Sequence, residues 1–309
     1  MTIPRATVVG SYGVGMWMEA PRVPAKGETL IGSGFMAGPG GKGSNQAIGV
    51  ARLGLPVQLL ACVGTDALGD EAMDLWAQES VDTSEVVRSS DSPTMVGFII
   101  LDAEGDNRIL IDPGANSLLT AEHVTTFTPA IQDSQILLTQ LEIPVPTVGA
   151  ALRIGREAGV TTVLNPAPAQ HLPSEILATI DILTPNQSEA RILVGLDAND
   201  PRSDQEVAEK ILDLGVEVVV MTLGPDGALI VSAQGIERCP GYAIDVVDTT
   251  GAGDGFNAAL AVSLAEGRPL SAAVDRANHA GALMVATAGV VPALPTRAEL
   301  DGHDLSKSM

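Results

Sequence analysis

Apolar and polar positions alternate along the chain in a pattern that predicts strands and helices in turn. Short, mostly apolar runs typical of buried strands occur at 7–13, 57–64, 135–142, 161–166, 181–186 and 216–224. Segments with apolar residues at helical spacing occur at 44–54, 69–80, 145–159, 173–180, 187–195, 204–215, 253–266 and 270–288. Strand–helix units of this length predict an α/β fold with a mostly parallel sheet, in which ligands bind at the carboxyl ends of the strands.

Two β-rich segments, near 13–41 and 93–115, do not fit this alternation. The second contains a predicted hairpin at 94–111, in which two β-rich runs flank a turn, and another hairpin is predicted at 227–242. We expect the two segments to pair as a small sheet beside the main one. Because the sequence contains no internal repeat and no low-complexity linker, it predicts a single domain over residues 1–309 with this β appendage.

Composition narrows the class of protein and its partners. The chain has 309 residues, of which 45% are apolar and only 3% aromatic, so its core is aliphatic, as in a parallel sheet covered by helices. The formal net charge of −21 makes nucleic acid and anionic membranes unlikely partners. No run of about 18 apolar residues and no signal-peptide pattern is present, so we expect a cytoplasmic protein. Cys62 and Cys239 have no spacing that suggests zinc or a disulfide framework.

The sharpest local feature is DTTGAGDGFNAAL at 248–260, where a predicted strand leads into a predicted helix. Gly251 and Gly253 allow a tight turn and a close approach to a ligand. The free N–H groups of a first helical turn form an anion site. Asp254 lies in that positive end, and the residues alone leave two interpretations open. In the first interpretation, Asp254 only complements the helix dipole, which stabilises a helix by about 0.3–1 kcal/mol. In the second, it takes a proton from a substrate hydroxyl during phosphoryl transfer.

The glycine-rich stretch MAGPGGKGSN at 36–45 suggests a phosphate-binding loop at first sight. It does not match the P-loop pattern, because Met36 stands where a glycine is needed and Lys42 is followed by Gly43 rather than Ser or Thr. A literal G-x-G-x-x-G within the stretch raises the alternative of a dinucleotide-dependent dehydrogenase. That fingerprint should directly follow the first strand, and here it does not.

Two long motifs resemble the signatures of one family. DTTGAGDGF and GGKGSNQAIGVARLG (40–54) resemble the C-terminal and N-terminal signatures of the ribokinase-like sugar kinases, also called the phosphofructokinase B family. The similarity continues in order through VGTDALGD, DPGAN, LLTQLE, LNPAPA, TPNQSEA and TLGPDG to VPALP, over essentially the whole chain. The resemblance implies a three-layer α/β/α fold with a small β-sheet lid. It implies transfer of the γ-phosphoryl of ATP to a primary hydroxyl of a sugar or sugar-like acceptor, with Mg²⁺ and K⁺ as cofactors.

The resemblance also implies roles for individual residues. Asp254 matches the catalytic base. The matching anion hole is Gly251, Ala252 and Gly253. Lys42, Asn45 and Glu142 match the residues that hold sugar hydroxyls. Gly41 and Gly43 match the glycines that let the backbone approach the sugar closely. Residues that match the nucleotide site are Asn186, Thr222, Leu223, Gly224, Gly227, Gly253 and Asn278.

Cations and assembly follow from the same resemblance. Glu189 matches the family's Mg²⁺ residue, in an N-x-x-E motif with Asn186. The matching site for a monovalent cation is Asp248, Thr250, Met284, Thr287 and Gly289. At Ala293 the family often has Ser, so one ligand of that cation is in doubt. We expect a homodimer formed through the β lid.

Simpler interpretations exist for several of these residues. From the residues alone, Lys42 is a solvated loop charge and Asn45 a helix N-cap. Asn186 and Glu189 are equally well explained as an ordinary helix start. A non-catalytic binding protein that kept the fold is also an alternative, although the retained Asp254 argues against it.

The chain departs from the family at Gly13 and Gly15, where an Asn and an Asp usually contact sugar hydroxyls. The change puts ribose in doubt as the acceptor, because a site that loses its hydrogen-bonding partners loses that preference. Glycines leave more room and fewer polar groups, which favours a bulkier or less hydroxylated acceptor. Met16 or Trp17 is a candidate for an apolar wall there. A nucleoside kinase of the same fold remains the alternative.

Overall fold

The computed structural model describes residues 5–104, 106–303 and 307. Its strands are β1 Ala6–Val9, β2 Gly13–Glu19, β3 Ser33–Gly40, β4 Val57–Leu60, β5 Cys62–Gly64, β6 Val87–Ser89, β7 Met95–Leu101, β8 Asn107–Asp112, β9 Ile136–Gln140, β10 Thr161–Asn165, β11 Ile182–Leu183, β12 Val218–Thr222, β13 Ala228–Ser232 and β14 Gly235–Cys239. Its helices are α1 Lys42–Arg52, α2 Ala67–Gln78, α3 Ala121–Thr126, α4 Thr128–Gln132, α5 Val145–Ala158, α6 Ser174–Leu177, α7 Gln187–Leu193, α8 Asp204–Leu212, α9 Ala252–Ala265, α10 Leu270–Val285, α11 Val290–Ala293 and α12 Arg297–Gly302.

The central sheet has eight strands in the order β14-β13-β12-β11-β10-β9-β1-β4. Neighbouring strands pair in parallel throughout the part of this order that runs from β12 through β11, β10, β9 and β1 to β4. Strands β13 and β14 extend the sheet as an antiparallel hairpin. The mostly parallel sheet predicted from the alternation is therefore confirmed. Strand β1 lies between β4 and β9, and ligands of such sheets bind beyond the carboxyl ends of the strands where the strand order reverses.

Helices cover both faces of this sheet. Val8 and Leu138 face a core shared with α1, α9 and α10, whereas their neighbours Val9 and Leu137 face a second core shared with α5 and α8. Both faces of strands such as β1, β9 and β10 are buried, which explains why these strands are mostly continuous apolar runs rather than alternating ones. The three-layer α/β/α arrangement is confirmed.

A second, four-stranded sheet has the order β3-β2-β7-β8 and is called the small sheet below. Strands β2 and β7 pair in parallel, and the other two pairings are antiparallel. The two β-rich segments that interrupt the strand–helix alternation therefore pair with each other, as expected.

The chain differs from the predicted elements in a few places. The single strand expected at 57–64 divides after Leu60, because β5 turns away from the central sheet and pairs with β6. The strand expected at 181–186 is short, since Pro185 has no N–H for the ladder. The helix expected at 44–54 begins earlier, at Lys42, with Gly41 as its N-cap at φ 86°. In the described part of the chain, no helix is long and apolar enough to cross a membrane.

Candidate active site

The carboxylate of Asp254 is buried beyond the carboxyl ends of the central strands. It lies in the first turn of α9 and is 4% exposed. Helix α1 supplies two donors to it: Asn45 Nδ2 donates to Oδ2 at 2.8 Å, and Gln46 Nε2 donates to Oδ1 at 3.0 Å. The interpretation of Asn45 as an N-cap is therefore wrong, because the helix starts before it and its amide contacts Asp254.

A buried chain of amides supports this pair of helices. Gln46 Oε1 accepts from Gln140 Nε2 at 2.6 Å, and Gln46 Nε2 also donates to Asn165 Oδ1 at 3.2 Å. Asn165 Nδ2 donates in turn to the carbonyl oxygen of Thr184 at 3.1 Å. Gln46, Gln140 and Asn165 were not predicted as site residues from the sequence. For Gln140 and Asn165, the sequence signal that could have indicated them is an amide side chain at the last position of a buried strand, in ILLTQ and TTVLN.

Glu142 is fixed beside the start of α1. Its Oε2 accepts from Ser11 Oγ at 2.6 Å and from the Lys42 N–H at 2.8 Å. The glycines around Lys42 are required by this close packing of the chain on itself. A Cβ at Gly43 would lie 2.4 Å from Ser11 N, and one at Gly41 would lie 2.5 Å from Tyr12 Cα. The segment 41–43 is thus held against the segment that follows β1.

Charges concentrate around Lys42, which is only partly exposed. Burial acts to lower the pKa of the Lys42 ammonium, but the carboxylates of Asp254, Glu142 and Glu189 outweigh it and raise that pKa above its usual value. Burial and, to a lesser degree, the charge of Asp254 raise the pKa of Glu189. The hydrogen bond from the Asn186 N–H and the charge of Lys42 act to lower it but do not outweigh them. Lys42 is therefore a cation held among carboxylates and not a solvated loop charge.

The turn before α9 presents open backbone donors. Gly251 has φ 79°, and a Cβ there would lie 2.5 Å from Val290 Cγ1, so glycine is required. The Asp254 N–H donates to the Gly251 oxygen at 2.8 Å. In the described part of the chain, the N–H groups of Gly251 and Gly253 have no hydrogen-bond partner. The first turn of α9 can therefore bind an anion through these groups.

A cleft of about 520 Å³ opens beside this turn. Its lining includes the predicted nucleotide residues Thr222, Gly224, Gly227, Gly253 and Asn278, whereas Leu223 is buried behind it. The side chains on its walls are mostly apolar: Tyr242, Ile244, Val246, Phe256 and Val285. Asn278 Nδ2 donates to the carbonyl oxygens of Cys239 and Pro240 at 3.1 and 3.2 Å, which fixes the segment bordering the cleft.

Asn186 and Glu189 form a capping box at the start of α7. Asn186 Oδ1 accepts from the Glu189 N–H, and Glu189 Oε2 accepts from the Asn186 N–H, both at 2.8 Å. Their hydrogen bonds are those of an ordinary helix start. Asn186 also lines a neighbouring cleft of about 470 Å³, which shares Thr222 and Gly224 with the first one. The pair therefore caps a helix at the edge of the candidate nucleotide cleft.

The segments predicted to bind a monovalent cation meet next to α9. Asp248 Oδ1 accepts from the Thr250 N–H at 2.9 Å, and its Oδ2 accepts from the Gly289 N–H at 3.0 Å. Burial acts to raise the pKa of Asp248, but these N–H groups and the Thr250 hydroxyl outweigh it and lower that pKa. Met284 is buried, and the Thr287 N–H donates to its carbonyl oxygen at 3.3 Å. The structure thus brings the two segments together.

The space above Gly13 and Gly15 is filled. A Cβ at Gly13 would lie 2.4 Å from Met95 Cε, and one at Gly15 would lie 2.7 Å from Trp17 Cη2. The expectation that these glycines leave more room is therefore wrong, because two large apolar side chains occupy the volume. Of the two candidates for an apolar wall there, Trp17 lies over Gly15, whereas Met16 packs against the hydrophobic core.

Fold and site together define a phosphoryl-transferring enzyme of the sugar-kinase class, and comparison with known proteins gives the family. The chain belongs to the pfkB family of carbohydrate kinases, whose model matches residues 6–297. It is 38% identical over 294 residues to the ribokinase of Haemophilus influenzae, covering 95% of this chain and 96% of that protein. Both the sequence resemblance and the expected ATP-dependent carbohydrate kinase activity are confirmed.

Solved structures agree with this assignment. The ribokinase of Thermotoga maritima superposes with a TM-score of 0.89 at 34% identity, over 97% of this chain and 98% of that one. The ribokinase of Arabidopsis thaliana, in a complex with ribose and ATP, superposes with a TM-score of 0.92 at 30% identity and the same coverage. The dehydrogenase and non-catalytic alternatives are therefore not supported.

Proposed function

We propose that this kinase transfers the γ-phosphoryl group of ATP to a primary hydroxyl of a sugar or sugar-like acceptor, with Asp254 as the base. The observation that supports this most directly is the position of Asp254. Its buried carboxylate, held by Asn45 and Gln46, directly follows the open N–H groups of Gly251 and Gly253. A proton acceptor and an anion site thus lie within one helical turn.

The reaction follows from this arrangement. Asp254 accepts the proton of the acceptor hydroxyl as its oxygen attacks the γ-phosphorus, and ADP leaves from the opposite side. The N–H of Ala252, between Gly251 and Gly253, donates to the carbonyl oxygen of Thr249 at 3.4 Å. The N–H groups of Gly251 and Gly253 face the transferring phosphoryl group and stabilise its negative charge. Because these donors are fixed by the helix, they need no reorganisation when the charge develops.

The acceptor binds to the group formed by Lys42, Asn45 and Glu142. Lys42 is a permanent cation and hydrogen-bond donor at neutral pH, and Glu142 accepts from hydroxyls. The relatives described above are ribokinases, which makes a pentose the first acceptor to test. A nucleoside is disfavoured, because Met95 and Trp17 fill the space that its base would need.

ATP occupies the 520 Å³ cleft, with its base among the apolar walls and its phosphates toward Gly253. Mg²⁺ fits beside them, near Asn186 and Glu189, since Mg²⁺ typically uses one or two carboxylates together with substrate phosphates. Bound there, the ion would neutralise charge on the phosphates. Glu189 lies close enough to Lys42 and Asp254 for their charges to act on it, so its carboxylate would hold the metal next to the reacting groups.

A K⁺ ion is proposed between residues 248–250 and 284–289. Asp248 and backbone carbonyls of these segments supply the oxygen ligands that such an ion prefers. Because Gly251 follows this segment directly, a bound ion would orient the N–H groups that face the phosphoryl group. Ala293 offers no hydroxyl, so the coordination depends on the backbone and Asp248.

We further propose a cytoplasmic homodimer. The face of the small sheet that carries Met18, Phe98 and Leu110 leaves these side chains 45%, 52% and 74% exposed. Apolar surface of this kind is typical of a subunit interface, and a second copy would cover it. ATP is available in the cytoplasm, and the free thiols of Cys62 and Cys239 suit a reducing compartment.

A panel of acceptors tests the proposed function. Pentoses, hexoses, polyols and nucleosides are incubated with ATP and Mg²⁺, ADP release is followed, and the phosphorylated product is identified by mass spectrometry. We expect a monophosphate of at least one sugar or polyol. ADP release without a phosphorylated acceptor, or no reaction with any of them, would contradict the proposal.

A further inference from the structure

Five glycines leave the backbone bare over part of one face of the small sheet, which carries Met36, Ile109 and Ile111 on its outer strands. Residues that pair across neighbouring strands, or that lie two apart on one strand, project to the same face. Gly13 pairs with Gly40 and Gly15 with Gly38 across β2 and β3, and Gly15 also pairs with Gly97 of β7. This side is called the glycine face below, and its members are Gly13, Gly15, Gly38, Gly40 and Gly97.

Trp17 and Met95 cover the β2 glycines of this face. Trp17 follows Gly15 on β2, and its ring lies back over the strands: Cζ3 would be 3.7 Å from a Cβ at Gly38, in addition to its contact at Gly15. Met95 pairs with Gly13 and covers it. Asn116 Nδ2 donates to Met95 Sδ at 3.2 Å, which fixes the thioether. Because β2 is paired on both sides, its backbone polar groups are used within the sheet.

One end of the glycine face is next in sequence to the segment that carries the proposed acceptor residues. Gly40 is followed by Gly41 and Lys42, and a Cβ at Gly41 would lie only 2.9 Å from Gly13 N. On the opposite face, Val14 and Met16 pack against the hydrophobic core. The glycine face therefore looks away from that core, and its Gly13–Gly40 end adjoins the segment that leads into Lys42.

We propose that Trp17 and Met95 form the second wall of the acceptor site and that this wall selects a deoxy sugar. The reacting side of the acceptor contacts Lys42, Asn45 and Glu142, and its C–H-rich edge packs on the indole and the thioether. A hydroxyl on that edge would lose its water without gaining a hydrogen-bond partner, which is unfavourable. This inference rests on the proposed kinase function and narrows its substrate class.

The test compares kcat/KM for D-ribose with kcat/KM for 2-deoxy-D-ribose and 3-deoxy-D-ribose at saturating ATP. We expect at least one deoxy sugar to be preferred by about 10–100-fold, because apolar pockets reject an added hydroxyl by no more than about 10²-fold. The double variant Gly15→Asp/Trp17→Ala adds a carboxylate and frees the space it needs, so it should reverse the preference toward ribose. Trp17→Phe should keep the preference.

Ile31→Ala, in the segment between β2 and β3 and 92% exposed, is the control and should leave the ratio of the two kcat/KM values within about twofold. ATP affinity reports whether each variant is folded, since the nucleotide cleft lies elsewhere. If the double variant does not bind ATP, the inference is judged from the wild type and Trp17→Phe alone, by the ratio of kcat/KM for the deoxy sugar to kcat/KM for ribose.

A wild-type preference for ribose, a nucleoside preferred over every sugar, or an unchanged ratio in a folded double variant would overturn this inference while leaving the kinase function intact. Phosphoryl transfer to no acceptor would instead overturn the proposed function.

Discussion

The side-chain amide of Gln46 donates to Oδ1 of Asp254 at 3.0 Å and so joins α1 to the first turn of α9. Gln46 is in turn held by Gln140 from the end of β9. The proposed base is therefore oriented by residues that lie far from it in sequence and that come together only through the sheet topology.

Replacing Gln46 with Leu tests this support. Loss of the donor frees the Asp254 carboxylate to turn, and Gln140 Nε2 loses its buried acceptor. We expect kcat to fall by about 10–100-fold and the free energy of unfolding to fall by about 1–3 kcal/mol. Steady-state kinetics and chemical denaturation measure the two effects. Gln140→Leu breaks only the outer link and should lower kcat less. An unchanged kcat in Gln46→Leu would show that Asp254 needs no such orientation.

The two glycines of the α9 turn should respond differently to the same methyl group. Gly251→Ala places a Cβ against Val290 at a left-handed φ, so we expect a loss of at least about 1–2 kcal/mol of stability. A Cβ at Gly253 has no atom within 4 Å, so Gly253→Ala should fold normally. It should still lower kcat, because the methyl group enters the phosphate side of the cleft. Thermal unfolding and kinetics separate the two, and equal stability losses would contradict this account of the turn.

Exchange of the monovalent cation tests the segments 248–250 and 284–289. We expect faster turnover in KCl than in NaCl at equal ionic strength, because the larger ion suits a site built from backbone oxygens. Asp248→Ala should remove the difference, whereas Asp245→Ala, an exposed acid nearby, should keep it. Equal rates in both salts for the wild type would argue against the cation site.

The subunit interface is tested by adding charge to the small sheet. We expect the wild type to sediment as a dimer and Leu110→Glu to sediment as a monomer, because a carboxylate cannot be buried there without a partner. Ile236→Glu, on an exposed position of β14, should remain dimeric. A monomeric wild type would remove the small sheet as an interface.

Much of the fold follows from the sequence because its signals are local. Apolar runs such as 135–142 and the helical spacing between them predicted the parallel sheet, and the motif at 248–260 predicted the position of Asp254. Boundaries were less accurate where backbone geometry decides. Gly41 starts α1 through a positive φ that apolar periodicity does not reveal, which is why Asn45 looked like a cap.

The remaining features depend on contacts between distant segments. Gln46, Gln140 and Asn165 form one buried chain, yet each is an unremarkable amide in its own segment. Gly13 and Gly15 suggested open space, and only the pairing of β2 with β7 and the orientation of Trp17 revealed that the space is filled. The glycines could be seen in the sequence, but the side chains that cover them could not be assigned from it.

The most direct test of the account is single-turnover phosphoryl transfer by Asp254→Asn, with ATP affinity measured on the same protein. The amide keeps the size of the side chain but cannot accept the hydroxyl proton. We predict that the rate of the chemical step falls by about 10²–10⁴-fold, while the Kd for ATP stays within about twofold. A rate close to that of the wild type would exclude Asp254 as the base.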